Sequence, residues 1–261
     1  MQPKDQALDV WGDFACFTRP ELKVERFSYP VPTPSAVRGI YDAIYCNRHE
    51  FRWQVTKVEI LKTKEKRPDP IQYIALRRNE VKDKVSVRNV QGWMKGESPP
   101  EPIWADGSES RDKGRTQRQT MALRDVHYRL HAEIRPYKTK DKDFEPRLPG
   151  YENEFRRRAS KGKCIYQPYL GCREFPAYFE LVEVGAPPPQ VEPFDLDIGL
   201  MLYDVFDLST PHESLDTSRK GNPDGTLSIS LFRAAVRNGI LGVPPYESMD
   251  VIKVPRGGGD A

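Results

Sequence analysis

The chain has 261 residues, of which 38% are apolar and 30% are charged, and its formal net charge is +3. This length holds one large domain or two modest ones, and a charge so close to neutrality supports a nucleic-acid partner only if the basic residues are unevenly distributed. No apolar run approaches the roughly 20 residues that a membrane span needs, so the composition predicts a soluble, cytoplasmic protein with no membrane partner.

The cysteines and histidines do not follow a metal-binding pattern. Four of each occur, no two cysteines form a CxxC pair, and the histidines do not complete a zinc ligand set. Scattered cysteines in a chain of this length are typical of reduced thiols in a cytosol. Cys164 and Cys172 have apolar neighbours, which favours buried structural thiols over nucleophiles. We therefore expect neither a metal nor another cofactor.

The first elements in chain order are a strand, a helix and a second strand. Alternation of apolar residues predicts a strand over Leu8–Phe17. Thr33 is a good N-cap and Pro34 suits the first helical position, which predicts a helix ending near Tyr45. Gly39 inside that helix suggests close approach by another backbone or by a ligand. Phe51–Lys62 alternates again and predicts the second strand.

The middle of the chain is more polar. Residues 64–114 are rich in proline and glycine and predict a long hairpin or insertion, with short strand-like pieces at Ile71–Leu76 and Lys84–Val90. Thr120–Tyr137 predicts the longest strand, Glu152–Lys161 predicts a short basic helix, and Tyr166–Val184 predicts further strands broken at Gly171.

A proline run at residues 186–190 marks the clearest boundary. After it, Leu200–Leu208 and Leu227–Phe232 predict strands, and Arg233–Asn238 predicts a short helical turn capped at Gly239. We expect one domain over residues 1–185, a small β-rich domain over residues 191–255, and a disordered tail over residues 256–261. The element order is the split βαβ pattern of ferredoxin-like folds, so the predicted class is α+β.

Positive charge is concentrated in two stretches. Arg111–Arg124 has five arginines and lysines against one acid, and Arg147–Lys163 has six against two, whereas acids concentrate in residues 192–216. The second stretch runs into Phe155–Phe179 (FRRRASKGKCIYQPYLGCREFPAYF), where cations and aromatic rings alternate. Such a segment provides phosphate contacts and stacking surfaces for single-stranded RNA. The alternative is a helix end, a turn and two strands whose rings belong to the core.

The residue patterns that most catalytic mechanisms require do not occur in this sequence. Asp204 and Asp207 fit a solvated strand edge better than a two-metal site, and no GxSxG elbow or cysteine-protease signature occurs. RNA cleavage by the 2′-hydroxyl needs only a proton acceptor, a proton donor and cations. Tyr45, close to Arg48 and His49 at the predicted helix end, is a candidate, against the alternative that it anchors the turn.

Three segments carry a resemblance to a known family. LDVWGDFACFTRPELKVERFSYPVPTPSAVRGIYDAIY, ALRDVHYRLHAEI and RRRASKGKCIYQPYLGCREFPAYFE resemble the type I-C CRISPR Cascade subunit of the RAMP superfamily, the CasD-type member of the fifth CRISPR-associated family. The resemblance covers roughly residues 5–245. It implies an RRM-like ferredoxin domain with an inserted β-hairpin, followed by a small C-terminal β-rich domain.

The resemblance also implies an activity. Members of this family are metal-independent endoribonucleases that cleave precursor CRISPR RNA at the repeat hairpin and stay bound to the 5′ handle in the effector complex. The implied partners are precursor and mature CRISPR RNA and the backbone and large subunits of the complex, with target DNA as a further candidate. The alternative is a non-catalytic subunit that holds the handle, and a weaker one is binding of duplex DNA.

The family's catalytic residues carry over in part. Its tyrosine at the end of the first helix maps onto Tyr45, in the pattern AIY. Its Lys-His pair falls near Gly150-Tyr151, where this chain has neither lysine nor histidine, so Tyr151 is the candidate replacement and Lys161 or Lys163 the candidate cation. The residues that we expect to contact RNA are Arg38, Arg48, Arg118, Arg124, Arg156, Arg157, Arg158, Lys161, Lys163 and Arg173.

Overall fold

The computed structural model of the chain describes residues 2–62, 69–81, 85–100, 115–137, 144–183, 186–209 and 229–253. These ranges contain three helices: α1 (Pro34–Ile44), α2 (Val87–Met94) and α3 (Phe144–Ala159). They contain ten strands: β1 (Gln6–Ala15), β2 (Arg26–Phe27), β3 (Phe51–Ile60), β4 (Tyr73–Val81), β5 (Arg115–Pro136), β6 (Tyr178–Leu181), β7 (Leu196–Asp204), β8 (Ser230–Arg237), β9 (Ile240–Gly242) and β10 (Val251–Lys253). None of these helices is long and apolar enough to cross a membrane.

The strands form one large, mostly antiparallel sheet, ordered β10-β8-β9-β3-β5-β1-β6. The 22-residue strand β5 lies between β3 and β1, and its first part also pairs with β4 and, in parallel, with β2. Few helices beside a large antiparallel sheet confirm the predicted α+β class. Pairing of β9 with β3 joins the C-terminal strands to the same sheet; the division into two domains stays a prediction.

The helix α1 begins where the sequence predicts. The Thr33 hydroxyl accepts a hydrogen bond from the Ala36 amide at 3.3 Å, and Pro34 occupies the first turn. Such a cap satisfies an amide that has no partner inside the helix. A Cβ built on Gly39 has no atom within 4 Å. The expected approach of another backbone to Gly39 is therefore wrong, and approach of a ligand stays a prediction.

Aromatic packing holds α1 and α3 against one face of the sheet. The rings of Tyr41, Trp53 and Phe155 lie 4.7–5.4 Å apart by their centroids, and all three are buried. The Tyr41 hydroxyl donates to the carbonyls of Gln6 and Leu130, at 2.7 and 2.8 Å, so its burial leaves no polar atom without a partner. This packing fixes the C-terminal end of α1 relative to β3.

The third helix is longer than predicted and ends earlier. It starts at Phe144 rather than Glu152 and ends at Ala159, not Lys161, and Pro149 lies inside it. Phe144 and Leu148 are both buried, and that burial offsets the local cost of the proline.

Three other element predictions are wrong. Val87–Met94 is a helix with Ser86 as its N-cap, where a strand-like piece was expected from Lys84. Residues 233–237 continue strand β8, because their backbone pairs with β7 and β9. Between residues 166 and 184 the only described strand is β6, with one isolated bridge between Tyr169 and Pro176. The tail at residues 256–261 lies outside the described residues.

Candidate nucleic-acid interface and active site

Tyr45 lies directly after α1, where two side chains satisfy the last carbonyl groups of the helix. The Trp53 indole nitrogen donates to the Tyr45 carbonyl at 2.8 Å, and Arg158 donates to the Ile44 carbonyl at 3.0 Å. The Arg158 guanidinium carbon lies 5.9 Å from the centroid of the Tyr45 ring. Because helix carbonyls otherwise need water or caps, these bonds hold Tyr45 in one place. Its ring is half-buried.

Tyr45 and Tyr151 meet around the ring of Phe51. The Phe51 centroid is 5.8 Å from that of Tyr45 and 5.2 Å from that of Tyr151. The Tyr151 hydroxyl donates to the Glu50 carboxylate. We call Tyr45, Glu50, Phe51, Tyr151 and Arg158 the tyrosine cluster. It combines two hydroxyl donors, one carboxylate and one cation, which are the groups that acid–base chemistry on a phosphodiester requires.

Both tyrosines of the cluster are held in the protonated form. Burial raises the pKa of Tyr45, and the nearby Glu154 carboxylate raises it further. Burial and then the hydrogen bond to Glu50 raise the pKa of Tyr151 to about 12. A phenol with a raised pKa is a proton donor at neutral pH, not a base. The tyrosine cluster is therefore suited to donating protons.

A cleft of about 930 Å³ borders the tyrosine cluster at Phe51. Its walls come from α1, β3, the end of β7 and the loop around Gly171. Three of the predicted RNA-contacting arginines line it, namely Arg38, Arg48 and Arg173. Aromatic residues line it too: Tyr137, Tyr166, Tyr169 and Phe206. Cations and rings in one concave surface can hold phosphates and unstacked bases.

The cleft arginines differ in how they are paired. Arg38 donates from Nε to Asp204 at 2.8 Å and from Nη1 to Asp42 at 2.7 Å, so its charge is neutralised inside the protein. Arg48 is half-buried and Arg173 is exposed. Within the described ranges, neither Arg48 nor Arg173 makes an ion pair. These two are the cleft cations best able to bind a phosphate.

The arginines at the end of α3 are paired with carboxylates. Arg156 contacts Glu183 at 2.8 Å, and both Arg157 and Arg158 contact Glu154, at 2.7 and 3.1 Å. The Glu154 pKa is lowered to about 2, chiefly by its hydrogen bond with Arg157. Exposed pairs of this kind contribute little to stability.

The remaining predicted contacts do not line the cleft. Arg118 and Arg124 lie on β5, 3.6 Å from Glu25 and 3.5 Å from Asp125. Lys161 and Lys163 are exposed in the turn after α3. The Lys161 amide donates to the Arg158 carbonyl at 3.1 Å. The structure thus brings Tyr45 and Tyr151 together and leaves Lys161 at the surface.

Sequence reasoning missed several residues of this region. Glu50 and Tyr151 are 101 positions apart, and no spacing in the sequence connects them. Arg52 and Tyr137 line the cleft, although they were assigned only to predicted strands. The ring of Tyr166 is exposed and lines the cleft, whereas Phe155 in the same segment is core. Cys164 is exposed and Cys172 only half-buried, so the expectation of buried thiols is wrong for Cys164.

The fold of this chain has a counterpart among solved structures. It is similar to a solved structure described as a CRISPR-associated protein, with a TM-score of 0.56 and 20% identity, over 95% of this chain and 96% of that one. The family model for Cas5d, described as CRISPR-associated protein (Cas_Cas5), matches residues 7–244. The chain belongs to the Cas5d family.

Two relatives match this chain over nearly its whole length. The chain is 37% identical to the "CRISPR pre-crRNA endoribonuclease Cas5d" of Mannheimia succiniciproducens, over 94% of this chain and 96% of the relative. It is 36% identical to the protein of the same name from Thermus thermophilus, over 96% of each chain.

Proposed function

We propose that this chain is a metal-independent endoribonuclease that cleaves precursor CRISPR RNA at the repeat hairpin and stays bound to the 5′ handle. It would act in the cytoplasm within the type I-C effector complex, beside the backbone and large subunits, with target DNA as a further partner. The observation that carries the proposal is the end-to-end match with relatives that bear this activity in their names.

The tyrosine cluster supports the chemistry. In 2′-hydroxyl attack, one group accepts the proton of the nucleophile and another protonates the departing 5′-oxygen. Tyr45, kept protonated by burial, is the proposed donor to the leaving oxygen. The Glu50 carboxylate, which accepts a hydrogen bond from Tyr151, is the proposed acceptor of the 2′-hydroxyl proton. Tyr151 is the proposed second donor, and Arg158 beside the Tyr45 ring stabilises the charge of the phosphorane. Lys161 is a proposed further source of positive charge from the turn after α3.

The cleft supports a path for the RNA. Arg48 and Arg173 are proposed phosphate contacts, and the rings of Tyr166 and Tyr169 are proposed stacking surfaces for unstacked bases. Arg38, which also lines the cleft, and the other predicted contacts remain proposed phosphate contacts: Arg118, Arg124, Arg156, Arg157, Arg158, Lys161 and Lys163.

The strand order supports a finer fold proposal. β3, β5, β1 and β6 follow the order of an RRM-like ferredoxin sheet, with α1 after β1 and α3 after β5. The proposed insertion covers residues 64–114, and its strand β4 forms an antiparallel pair with the start of β5, which follows the insertion. The small β-rich domain would comprise residues 191–255.

A second candidate is a subunit that holds the RNA handle without cutting it. The observation that favours it is the sequence Gly150-Tyr151, which stands where the family has a Lys-His pair. With both tyrosines of the cluster protonated, the cluster has no phenolate that could serve as a base.

The test is cleavage of repeat RNA in EDTA by the wild type and by Tyr45→Phe. Loss of a general acid lowers a rate by about 10²–10⁴-fold, so we expect Tyr45→Phe to cut at least about 100-fold more slowly with unchanged RNA affinity. Tyr178→Phe is the matched control, because Tyr178 is exposed on β6, and it should keep the wild-type rate.

The outcomes separate the candidates. Full activity of Tyr45→Phe would remove Tyr45 from the reaction, and cleavage of RNA with a 2′-deoxy scissile nucleotide would overturn the mechanism. Tight RNA binding by a wild-type protein that cuts no repeat RNA would establish the handle-binding subunit instead. Efficient competition by duplex DNA at physiological salt would favour the DNA-binding candidate.

A further inference from the structure

The loop between Leu170 and Pro176 is docked against the residue that follows β1. The Cys16 amide donates to the Leu170 carbonyl at 3.0 Å. A Cβ added to Gly171 would lie 2.2 Å from the Cys16 carbonyl oxygen, so the two backbones are in direct contact there. The next residue in the loop is Cys172, which places two cysteines on facing segments.

The two thiols converge on one hydroxyl group. Thr18 Oγ1 lies 3.5 Å from the Cys16 sulfur and 3.6 Å from the Cys172 sulfur. The Cys172 thiol also donates to the Cys16 carbonyl at 3.4 Å. A disulfide forms without backbone movement only where the two side chains point towards each other across a short backbone separation. The shared hydroxyl brings the two sulfurs to one place, and the docked loop brings the two backbones into contact.

The charges around this pair favour one thiolate. Arg26, on β2, places Nη1 3.5 Å from the Cys172 sulfur and pairs with Glu174 at 2.7 Å. Hydrogen bonding from Cys16, helped by Thr18 and Arg26 and opposed by burial and Glu174, lowers the pKa of Cys172 below its ordinary value. The bond to Cys172 and burial raise the pKa of Cys16. Cys172 is therefore the nucleophile, and Cys16 remains a thiol.

We propose that Cys16 and Cys172 form an oxidisable dithiol that closes to an intrachain disulfide and ties the loop of residues 170–176 to the end of β1. This loop carries Gly171 and Arg173 into the cleft. The disulfide fixes that wall of the cleft in place. The dithiol is a modification site in its own right, and it stands whether or not the chain cleaves RNA.

Hydrogen peroxide is the simplest oxidant for this step. The Cys172 thiolate attacks one peroxide oxygen, the O–O bond breaks, and the products are a sulfenic acid and hydroxide, which takes up a proton to become water. The Cys16 thiol then gives up its proton and attacks the Cys172 sulfur, and the hydroxyl group leaves as a second water. Two thiols lose two electrons in total, and one peroxide gains them.

The test treats the full chain with hydrogen peroxide, blocks the remaining thiols and digests with chymotrypsin without a reductant. Chymotrypsin cuts at Tyr166 and Tyr169, so Cys164 and Cys172 fall in different peptides. We expect mass spectrometry to find a Cys16–Cys172 cross-linked peptide that dithiothreitol separates. Cys46→Ser should not change its yield. Oxidation of the exposed Cys164 without any Cys16–Cys172 peptide would overturn the proposal.

Two further measurements, one on a variant and one on the wild type, test the proposal even if the variant misfolds. In Cys16→Ser, dimedone should trap the sulfenic acid at Cys172, because the resolving thiol is gone. In the wild type, alkylation of Cys172 should level off at a lower pH than alkylation of a free cysteine, whose pKa is near 8.5. A Cys172 rate that follows the pH profile of a free cysteine would contradict the proposal.

Discussion

Neighbouring groups decide what the Tyr45 and Tyr151 side chains can do. Tyr151 donates to Glu50, and that carboxylate lies 3.3 Å from Arg147. Burial and the hydrogen bond together place the Tyr151 pKa at about 12, above the ordinary value of 10. A raised pKa means that folding favours the protonated phenol, so its contribution to stability is complete below about pH 10 and is lost as the pH rises towards 12.

Glu50→Gln tests whether the Glu50 carboxylate raises the Tyr151 pKa. The variant removes the negative charge that opposes the phenolate, so we expect the Tyr151 pKa to fall from about 12 towards its ordinary value, with burial preventing a complete return. Tyrosine titration followed by NMR, with the signal assigned through Tyr151→Phe, measures it. Glu180→Gln removes an exposed carboxylate from β6 and should leave the Tyr151 pKa unchanged. An unchanged Tyr151 pKa in Glu50→Gln would show that the carboxylate has no part in the shift.

Gly171 has a conformation that other residues adopt only at a cost. Its φ is +84°, and a Cβ would meet the Cys16 carbonyl at 2.2 Å. We expect Gly171→Ala to destabilise the fold by more than about 2 kcal/mol, because the left-handed conformation alone costs about 1–2 kcal/mol. Gly162 has a similar φ of +62°, but an added Cβ would meet no other atom. Gly162→Ala therefore measures the cost of the left-handed conformation without a clash, and it should destabilise the fold less than Gly171→Ala. Urea unfolding compares the variants, and equal losses would contradict the clash.

At the scale of elements, an ion pair connects α1 to β7. Arg38 contacts Asp204 with two nitrogens, at 2.8 and 3.2 Å, and the Asp204 side chain is only 1% exposed. The same carboxylate accepts the amides of Val205 and Phe206, at 2.8 and 3.0 Å. The sequence prediction assigned Arg38 to RNA and Asp204 to a solvated strand edge. Burial shows that the edge interpretation of Asp204 is wrong.

Removal of Asp204 should be costly. Breaking a buried ion pair by deleting one partner costs about 3–5 kcal/mol, since the other charge stays buried, and we expect that loss in urea unfolding of Asp204→Ala. Asp197→Ala is the matched control on the same strand. Asp197 is 80% exposed and pairs with Arg237, so its loss should stay below about 1 kcal/mol. Similar losses in both variants would refute a structural role for the Arg38–Asp204 pair.

Element predictions succeeded where local signals agreed with burial. The N-cap Thr33 and the proline that follows it act within the first turn of α1, so the sequence was sufficient there. It was insufficient at residues 233–237, where pairing with β7 and β9 overrides a helical reading. It was insufficient also at Pro149, which stays in α3 because the residues around it are buried. Long-range pairing and packing outweigh propensities of a few tenths of a kcal/mol per residue.

Across the whole molecule, ion pairs neutralise much of the positive charge. The three arginines at the end of α3 face Glu154 and Glu183, whereas Arg48 and Arg173 in the cleft make no ion pair with other described residues. The basic runs of the sequence therefore overstate the charge available to RNA. Arg48, which follows α1, and Arg173, in the loop after α3, therefore indicate the RNA-binding surface better than the two basic stretches of the sequence do.

The salt dependence of RNA binding tests this distribution. For single strands each neutralised phosphate contributes about 0.7 to the slope of log K against log salt. Arg48→Ala/Arg173→Ala should weaken binding of repeat RNA and flatten that slope by about 1.4. Arg233→Ala/Arg237→Ala removes the same charge from exposed positions on β8 and should leave affinity and slope unchanged. Equal effects of the two double variants would mean that only net charge matters.

The sequence by itself determined the α+β class, the position and cap of α1, the central strands and the resemblance to a CRISPR-associated family. Those features depend on patterns within a few residues or on motifs whose residues are contiguous in the sequence. Only the tertiary structure decided that Tyr151 lies beside Phe51 and Glu50, that Arg38 is paired with Asp204, and that Arg48 and Arg173 share a cleft. These contacts join residues 100 or more positions apart, and only packing of the sheet and helices brings them together.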